Sequence, residues 1–323
     1  IQWPRTPVGR FDVSDATFRA KAEQYPQLQT LRELRSTISG TKNLLLTVGS
    51  DGRNRCMLSP FRSKTGRNQP SNTKFIYGPH KWIRHLIKPN KDQAVAYIDW
   101  SQQEFGIGAK LSGDEGMMQC YVSSDPYLEF AKLAGAVPPD ATKESHPSQR
   151  QQFKVCSLGV LFGLSGEGMA RKLGIPSEGG RQLLRLHKNV FPKFWKWQER
   201  IVANALINME MSTVLGWRMY VPPRTDLMDR NKTRTLSNFP LQGNGSEMLR
   251  VAVINAHEMG VELLAPIHDA LLVQSTIWDI DQTVEKTRQA MSDASATVLD
   301  GFRLNTDVEI IKWPDRYSDE RGA

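Results

Sequence analysis

A strand that ends in an aspartate and a hairpin that turns on another restrict this 323-residue chain more than any other feature. The first is Ala94-Val-Ala-Tyr-Ile-Asp99, a run of small and β-favouring residues that reads as a buried strand with a carboxylate at its end. The second is Val261-Glu-Leu-Leu-Ala-Pro-Ile-His268-Asp269-Ala-Leu-Leu-Val-Gln274, two apolar runs around a short polar break. An aspartate at a strand end is most often a turn former or a helix cap. A second one, 170 residues further on and also at the end of an apolar run, changes that reading. If the two strands are neighbours in one sheet, the carboxylates converge and can hold two divalent ions roughly 3.5–4 Å apart, the arrangement used for in-line phosphoryl transfer.

The 39% hydrophobic and 24% charged content is that of a globular protein. No apolar run approaches the roughly 18 residues of a membrane span, and the N-terminus is not signal-like, so no membrane partner and a cytoplasmic location are expected. Cys56, Cys120 and Cys156 form neither a disulfide framework nor a zinc pattern. The first residue is Ile1, so the chain can be a piece of something longer. Charge is uneven. Residues 1–90 hold 16 Lys and Arg against 5 Asp and Glu, a net of +11 in a chain of net +8, leaving −3 for the remainder. A basic front third suits a polyanion such as a phosphate backbone, or simply a solvated surface.

Along the chain, Phe18, Ala22 and Tyr25, then Leu28, Leu31 and Leu34, predict one or two amphipathic helices over 11–38, broken near Pro26 and started at Ser14-Asp15. A short apolar run, Asn43–Val48, precedes residues 53–74, which are irregular, polar and basic, a phosphate- and sugar-contacting composition. Helices are expected from Gln102 to Leu111 and over 114–134, with a new start at Asp125-Pro126. Ser145 as cap and Pro147 in the first turn predict a helix to Phe162, stopped by Gly163. On it Arg150, Lys154, Leu158 and Phe162 recur every fourth residue, cationic at one end and apolar at the other. That face suits a nucleotide triphosphate; equally, its apolar half can pack in the core while Arg and Lys face water. Residues 167–215 read as mainly helical, with Phe191, Phe194, Trp195 and Trp197 as packing aromatics, and Thr213–Val221 as a hairpin or extended piece ending at Pro222-Pro223. Arg234, Asn238 and Gln242 are again spaced by four, although Pro240 argues against a regular helix before 243–258. Leu304–Trp313 reads as a strand and Pro314–Ala323 as a frayed tail. The chain has no GxxxxGK[ST] loop, HExxH or GxSxG, and Gly243-Asn-Gly245 is too short for a dinucleotide fingerprint.

Taken together these pieces resemble family A, the DNA polymerase I-like enzymes. Asp99-Trp-Ser-Gln-Gln-Glu104 resembles motif A, Asp-Tyr-Ser-Gln-Ile-Glu. Arg150-x3-Lys154-x4-Gly159-x2-Phe162-Gly163 resembles motif B, Arg-x3-Lys-x3-Phe-Gly-x2-Tyr-Gly, and His268-Asp269 resembles motif C, His-Asp-Glu. Thr65-Gly66-Arg67 and Asn238-Phe-Pro-Leu-Gln242-Gly243 match two further family stretches, and all five occur in family order. The resemblance implies an α+β, right-hand architecture with an antiparallel palm sheet, helical fingers and a partial thumb: about 1–40 thumb, 41–104 and 223–323 palm, 105–222 fingers. It implies a DNA-directed DNA polymerase in which Asp99 and Asp269, helped by the Trp100 carbonyl, bind two Mg²⁺ ions, with Mn²⁺ as a substitute. Lys154 and Arg150 would grip the triphosphate, Lys154 also as general acid. Leu158, Phe162, Tyr127 and Gln102 would complete the nucleotide site, and Glu104 would stand as a steric gate against a 2′-hydroxyl. Arg67, Arg234, Asn238, Gln242 and His268 would line the primer-template. The expected partners are therefore primer-template DNA and deoxynucleoside triphosphates, taken up by a monomer that would be nucleoid-associated in a bacterial or phage setting.

Four departures stand out: Leu158 replaces the family's motif B Phe, Phe162 its Tyr, Ala270 the Glu of motif C, and Tyr127 in Asp125-Pro-Tyr the fingers His of Asp-Ile-His, still as a phosphate donor. With Ile1 inside the expected thumb, neither an exonuclease nor proofreading is expected. A relaxed polymerase that uses RNA template or ribonucleotides, and a catalytically weak primer-template binding protein, stay open as alternatives.

Overall fold

The computed structural model describes residues 1–42, 44–78, 81–223 and 230–318. The chain divides into two compact units, one made of Ile1–Ser59, Gln69–Lys88 and Pro314–Ala323, the other of Pro60–Asn68 and Pro89–Trp313.

In the first unit, helices α1 (Asp15–Gln24) and α2 (Leu28–Lys42) flank the expected break at Pro26. Ser14 caps α1 by accepting the Thr17 amide. Arg32 reaches back from α2 to Asp15 at 2.9 Å, and the Arg35 guanidinium lies 4.6 Å from the Phe18 ring centroid, so the hairpin is held by Arg contacts as much as by apolar burial. Residues 53–74 contain no helix or strand, as their composition predicts. Of the run 43–48, Asn43 lies outside the described residues, and Val48 makes only an isolated bridge to Asn54. The tail departs from expectation. Tyr317 is buried, its amide donates to the Ile87 carbonyl at 3.1 Å, and its ring meets Tyr77 edge-on. An aromatic with a pocket to fill holds down a segment whose composition reads as frayed; residues 319–323 of that segment lie outside the described residues.

The second unit is built on a four-stranded antiparallel sheet of β1 (Gln93–Trp100), β4 (Glu262–Ile267), β5 (Ala270–Thr276) and β6 (Thr306–Lys312), in the order β4-β5-β1-β6. Along β1, Ala94, Ala96, Ile98 and Trp100 are buried on one face, leaving Tyr97 and Asp99 half-buried on the other. Helix α11 (Ile280–Val298) covers the sheet with Ile280, Val284, Thr287, Met291, Ala294 and Val298 at helical spacing, a signal also present in the sequence.

Between β1 and β4 the described residues form eight helices and one hairpin, joined by turns. The helices are α3 (Gln103–Ser112), α4 (Glu115–Val122), α5 (Pro126–Leu133), α6 (Pro147–Leu161), α7 (Gly166–Leu173), α8 (Ser177–Val190), α9 (Pro192–Asn208) and α10 (Arg230–Glu258), with the hairpin β2 (Glu210–Ser212) and β3 (Arg218–Tyr220) before α10. A single buried carboxylate, Asp114, caps two helices, accepting from Met117 of α4 and from Lys193 and Phe194 of α9. The aromatic cluster is packing, as expected. His187 is fully buried among Phe130, Phe191 and Phe194, accepts the Trp195 indole N–H on Nδ1 at 3.0 Å, and is held neutral by burial, its pKa falling to about 3.

In this unit three sequence expectations are corrected. Helix α9 stops at Asn208, because Met209 turns left-handed (φ +54°) into β2, so 209–215 is not helical. Helix α6 is preceded by His146 as its cap residue, while Ser145 bonds to Thr142 instead. Helix α10 runs unbroken through Pro240 from Arg230. A proline in a helix interior costs about 3 kcal/mol. Burying Leu236, Phe239, Leu241 and Met248 stabilises by about 1.5–3 kcal/mol each, which outweighs it. Gly243-Asn-Gly245 is thereby helical, with Gly245 close against Gln103.

Candidate active site

Every candidate site residue lies in the second unit. The register of β1 on β5 pairs Asp99 with Ala270, and the Trp100 amide donates to the Asp269 carbonyl at 3.2 Å, so Asp99 at the end of β1 and Asp269 in the β4–β5 turn stand at the same end of the sheet. Since N–H and C=O of an extended residue point the same way, the Trp100 carbonyl faces that turn as well. The loop between β4 and β5 is two residues long, and His268 takes a left-handed φ of +53° where glycine is the usual occupant. Strain of this kind collects at functional turns.

The electrostatics of the pair are unbalanced. Burial, then the charges of Glu104 and Asp99, push the Asp269 carboxyl up to about 6, against the opposing pull of a backbone hydrogen bond and of Arg67. Crowded carboxylates of this kind fit a divalent cation, which relieves their repulsion. Among the described residues no three His, Cys, Asp or Glu side chains are placed to hold a metal ion. An ion here would draw on two carboxylates, backbone oxygen, water and substrate phosphates, a donor set suited to Mg²⁺.

Glu104 follows directly. Gln102, half-buried, adopts φ +46° and turns the chain from β1 into α3, which puts Glu104 in the first helical turn. There its carboxylate meets Arg67 at 3.1 Å, both side chains about a quarter exposed or less. Arg67 is held in turn by its neighbours' backbone. Three consecutive carbonyls before it accept from side chains elsewhere: Lys64 from Trp217 at 3.0 Å, Thr65 from Ser246 at 2.9 Å, and Gly66 from Arg250. Gly66 has φ +72°, and the Arg250 guanidinium also lies 4.1 Å from the Phe61 ring centroid.

Helix α6 presents its stripe as the spacing predicts. Lys154 and Leu158 are half-buried, and Phe162 closes the helix with its ring 45% exposed. Lys154 has no ion-pair or hydrogen-bond partner among the described residues. Arg150 is paired through Nε with Asp125 of the α5 cap, and its guanidinium lies 5.8 Å from the Tyr127 ring centroid. Tyr127 is only 6% exposed, and burial pushes its phenol up to about 12. It sits as a platform for Arg150 with little surface left for a phosphate.

Arg234, Asn238 and Gln242 share one face of α10, Arg234 exposed and packed against Gly163 at the end of α6, the other two half-buried. The Asn238 Oδ1 is buried without a partner. The same four-residue series continues through Ser246 and Arg250, the residues that hold the Thr65-Gly66-Arg67 turn. Sequence reading stopped at Gln242; extending the period would have found them.

Residues 16–312 match the sequence model of DNA polymerase family A. The chain is 26% identical over 308 residues to the thermostable DNA polymerase I of Thermus caldophilus, covering 88% of this chain and 36% of that protein. It is 25% identical over 293 residues to the DNA polymerase I of Lactococcus lactis, covering 85% and 32%. The chain thus spans about a third of the length of these curated relatives. Among solved structures it is similar to the polymerase domain of Pol1 from M. smegmatis in complex with DNA primer-template and dNTP, with a TM-score of 0.77 and 25% identity over 96% of this chain and 58% of that one. The mixed α/β fold with its antiparallel sheet is that of a polymerase domain. Among the described residues no helix is long and apolar enough to cross a membrane.

Proposed function

Because the chain belongs to DNA polymerase family A, we propose that it is a DNA-directed DNA polymerase that adds deoxynucleotides to a primer 3′-hydroxyl. The observation that carries this reading is the strand register that sets Asp99 opposite Ala270 and beside Asp269, with a lysine on α6 in the same unit, Lys154, that has no partner among the described residues. On this reading the basic helices of about 1–40 act as thumb, 41–104 and 223–323 as palm, and 105–222 as fingers.

Asp99 and Asp269, with the Trp100 carbonyl, would hold two Mg²⁺ ions, or Mn²⁺ in their place. Bound there, the ions supply acidity to the primer hydroxyl and charge neutralisation to the leaving pyrophosphate. Lys154 and Arg150 bind the triphosphate, and Lys154, without a competing partner among the described residues, is placed as general acid toward the leaving group. Leu158 and Phe162 offer an apolar wall to base and sugar, and Gln102 borders the sugar side. Glu104, anchored by Arg67, is kept where it can crowd a 2′-hydroxyl; that ion pair favours deoxynucleotides over the ribonucleotide alternative. Arg67, Arg234, Asn238, Gln242 and His268 supply donors for the minor groove and primer end.

The test is extension of a labelled primer on a DNA template with Mg²⁺ and each nucleotide alone, beside Asp269→Ala. Template-directed addition lost in the variant supports the reading. A wild-type chain that binds primer-template but adds nothing overturns it in favour of a binding protein.

A further inference from the structure

Asp125 is absent from the roles above, yet its carboxylate joins two helices. Oδ1 accepts the Leu128 amide at 3.2 Å as the cap of α5, and Oδ2 accepts the Nε–H of Arg150 in the first turn of α6. The carboxylate is only 16% exposed and is tethered by the cap, so it cannot swing aside without releasing α5. The Tyr127 ring, two residues on in the same turn, lies beneath the guanidinium. With Nε spent on Asp125, four of the five guanidinium N–H bonds remain, all on the Nη edge, and none has a partner among the described residues. Lys154 stands one turn further along the same face, also unpaired. A planar fork with one edge clamped and the other open is preorganised for a polyphosphate.

Resting on the polymerase reading, we propose that Asp125 is a positioning residue for nucleotide triphosphate: with Tyr127 it clamps Arg150 so that the Nη edge is already presented when the nucleotide arrives. Preorganisation of this kind raises affinity by removing the ordering cost of a long side chain. It makes a prediction opposite in sign to simple electrostatics. A carboxylate beside a phosphate site repels the phosphate, so deleting its charge should tighten binding if charge were its only effect. If Asp125 positions Arg150, deleting its charge weakens binding.

Asp125→Asn separates the two, since asparagine caps α5 as well as aspartate does but accepts poorly from a guanidinium. Binding of a dNTP is measured on the complex with primer-template whose primer carries a dideoxy end, and kcat and KM are measured on an extendable primer. Wild type, Asp125→Asn, Arg150→Gln and the double variant are compared. The expected result is about tenfold weaker dNTP binding in Asp125→Asn, the size of one charge-assisted hydrogen bond, with a raised KM, little change in kcat and an unchanged melting temperature. In the Arg150→Gln background the same substitution should have almost no further effect. Tighter or unchanged binding in Asp125→Asn, or a full effect persisting without Arg150, overturns the inference while leaving the polymerase reading intact. A wild-type complex that binds no dNTP overturns both.

Discussion

At the end of β1 the two aspartates are located by backbone pairing, whereas on α6 the two cations are located by side chains. Asp99 cannot leave Asp269 unless the β1–β5 ladder breaks, and the crowding of their charges is built into the register. Arg150 and Lys154, one helical turn apart, differ from each other: one is clamped by Asp125, the other is open. The acidic end is thus rigid and electrostatically strained, while the basic face is partly set and partly adaptable. A polymerase site of the kind proposed, which must hold ions but also admit and release a nucleotide, calls for both kinds of support.

The comparison is broken most severely at the acidic end. Asp269→Asn and Asp99→Asn should each lower primer extension by at least about 10³-fold, because each removes a carboxylate that would hold the cations neutralising the reacting phosphate, while primer-template binding measured by fluorescence anisotropy stays within a few-fold of wild type. Lys154→Ala is expected to lower kcat by about 10²-fold, the lower range for loss of a general acid, and rapid-quench kinetics should place the loss in the chemical step.

The strain at Asp269 offers a different test, because activity and stability should move in opposite directions. Its folded-state pKa is raised from 3.8 to about 6, so the ionised carboxylate is disfavoured in the folded chain. That penalty is fully present above pH 6, and the chain gains stability as pH falls from 6 towards 4, where the folded state binds more protons than the unfolded. With EDTA at pH 7.5, Asp269→Asn should therefore be more stable than wild type by about 1–3 kcal/mol, and Mg²⁺ should raise the melting temperature of wild type more than that of the variant. Extension, in contrast, should fall as pH drops below 6. A variant less stable than wild type would show that burial around Asp269 does not strain the carboxylate.

The smallest effect is expected where Arg67 meets Glu104. Glu104→Ala should reduce discrimination against ribonucleotides by about tenfold, one charge-assisted contact, read as the ratio of kcat/KM for the two sugars. Arg67→Met should do part of the same through loss of the anchor, and unchanged sugar selection in both would remove Glu104 from the gate.

Much of the fold was legible locally. The helices flanking Pro26, the α6 stripe and the His268-Asp269 hairpin follow from period, caps and turn chemistry within short windows. Pro240 misled, because helix propensity is a local quantity and the burial that overrides it comes from distant elements. Tyr317 misled for the same reason: polar tail residues say nothing of the pocket that receives an aromatic.

By itself the sequence determined which side chains are candidates for the chemistry and which share a helix face, since those relations follow from motif spacing and from helix and strand periods. Only the tertiary structure decided which of them touch. Asp125–Arg150 spans 25 residues, Arg67–Glu104 spans 37, and Ser246 reaches Thr65 across 181. No local period encodes such contacts. They exist because the sheet register and the burial of α10 bring those segments together, and only then can charge and hydrogen bonding act between them.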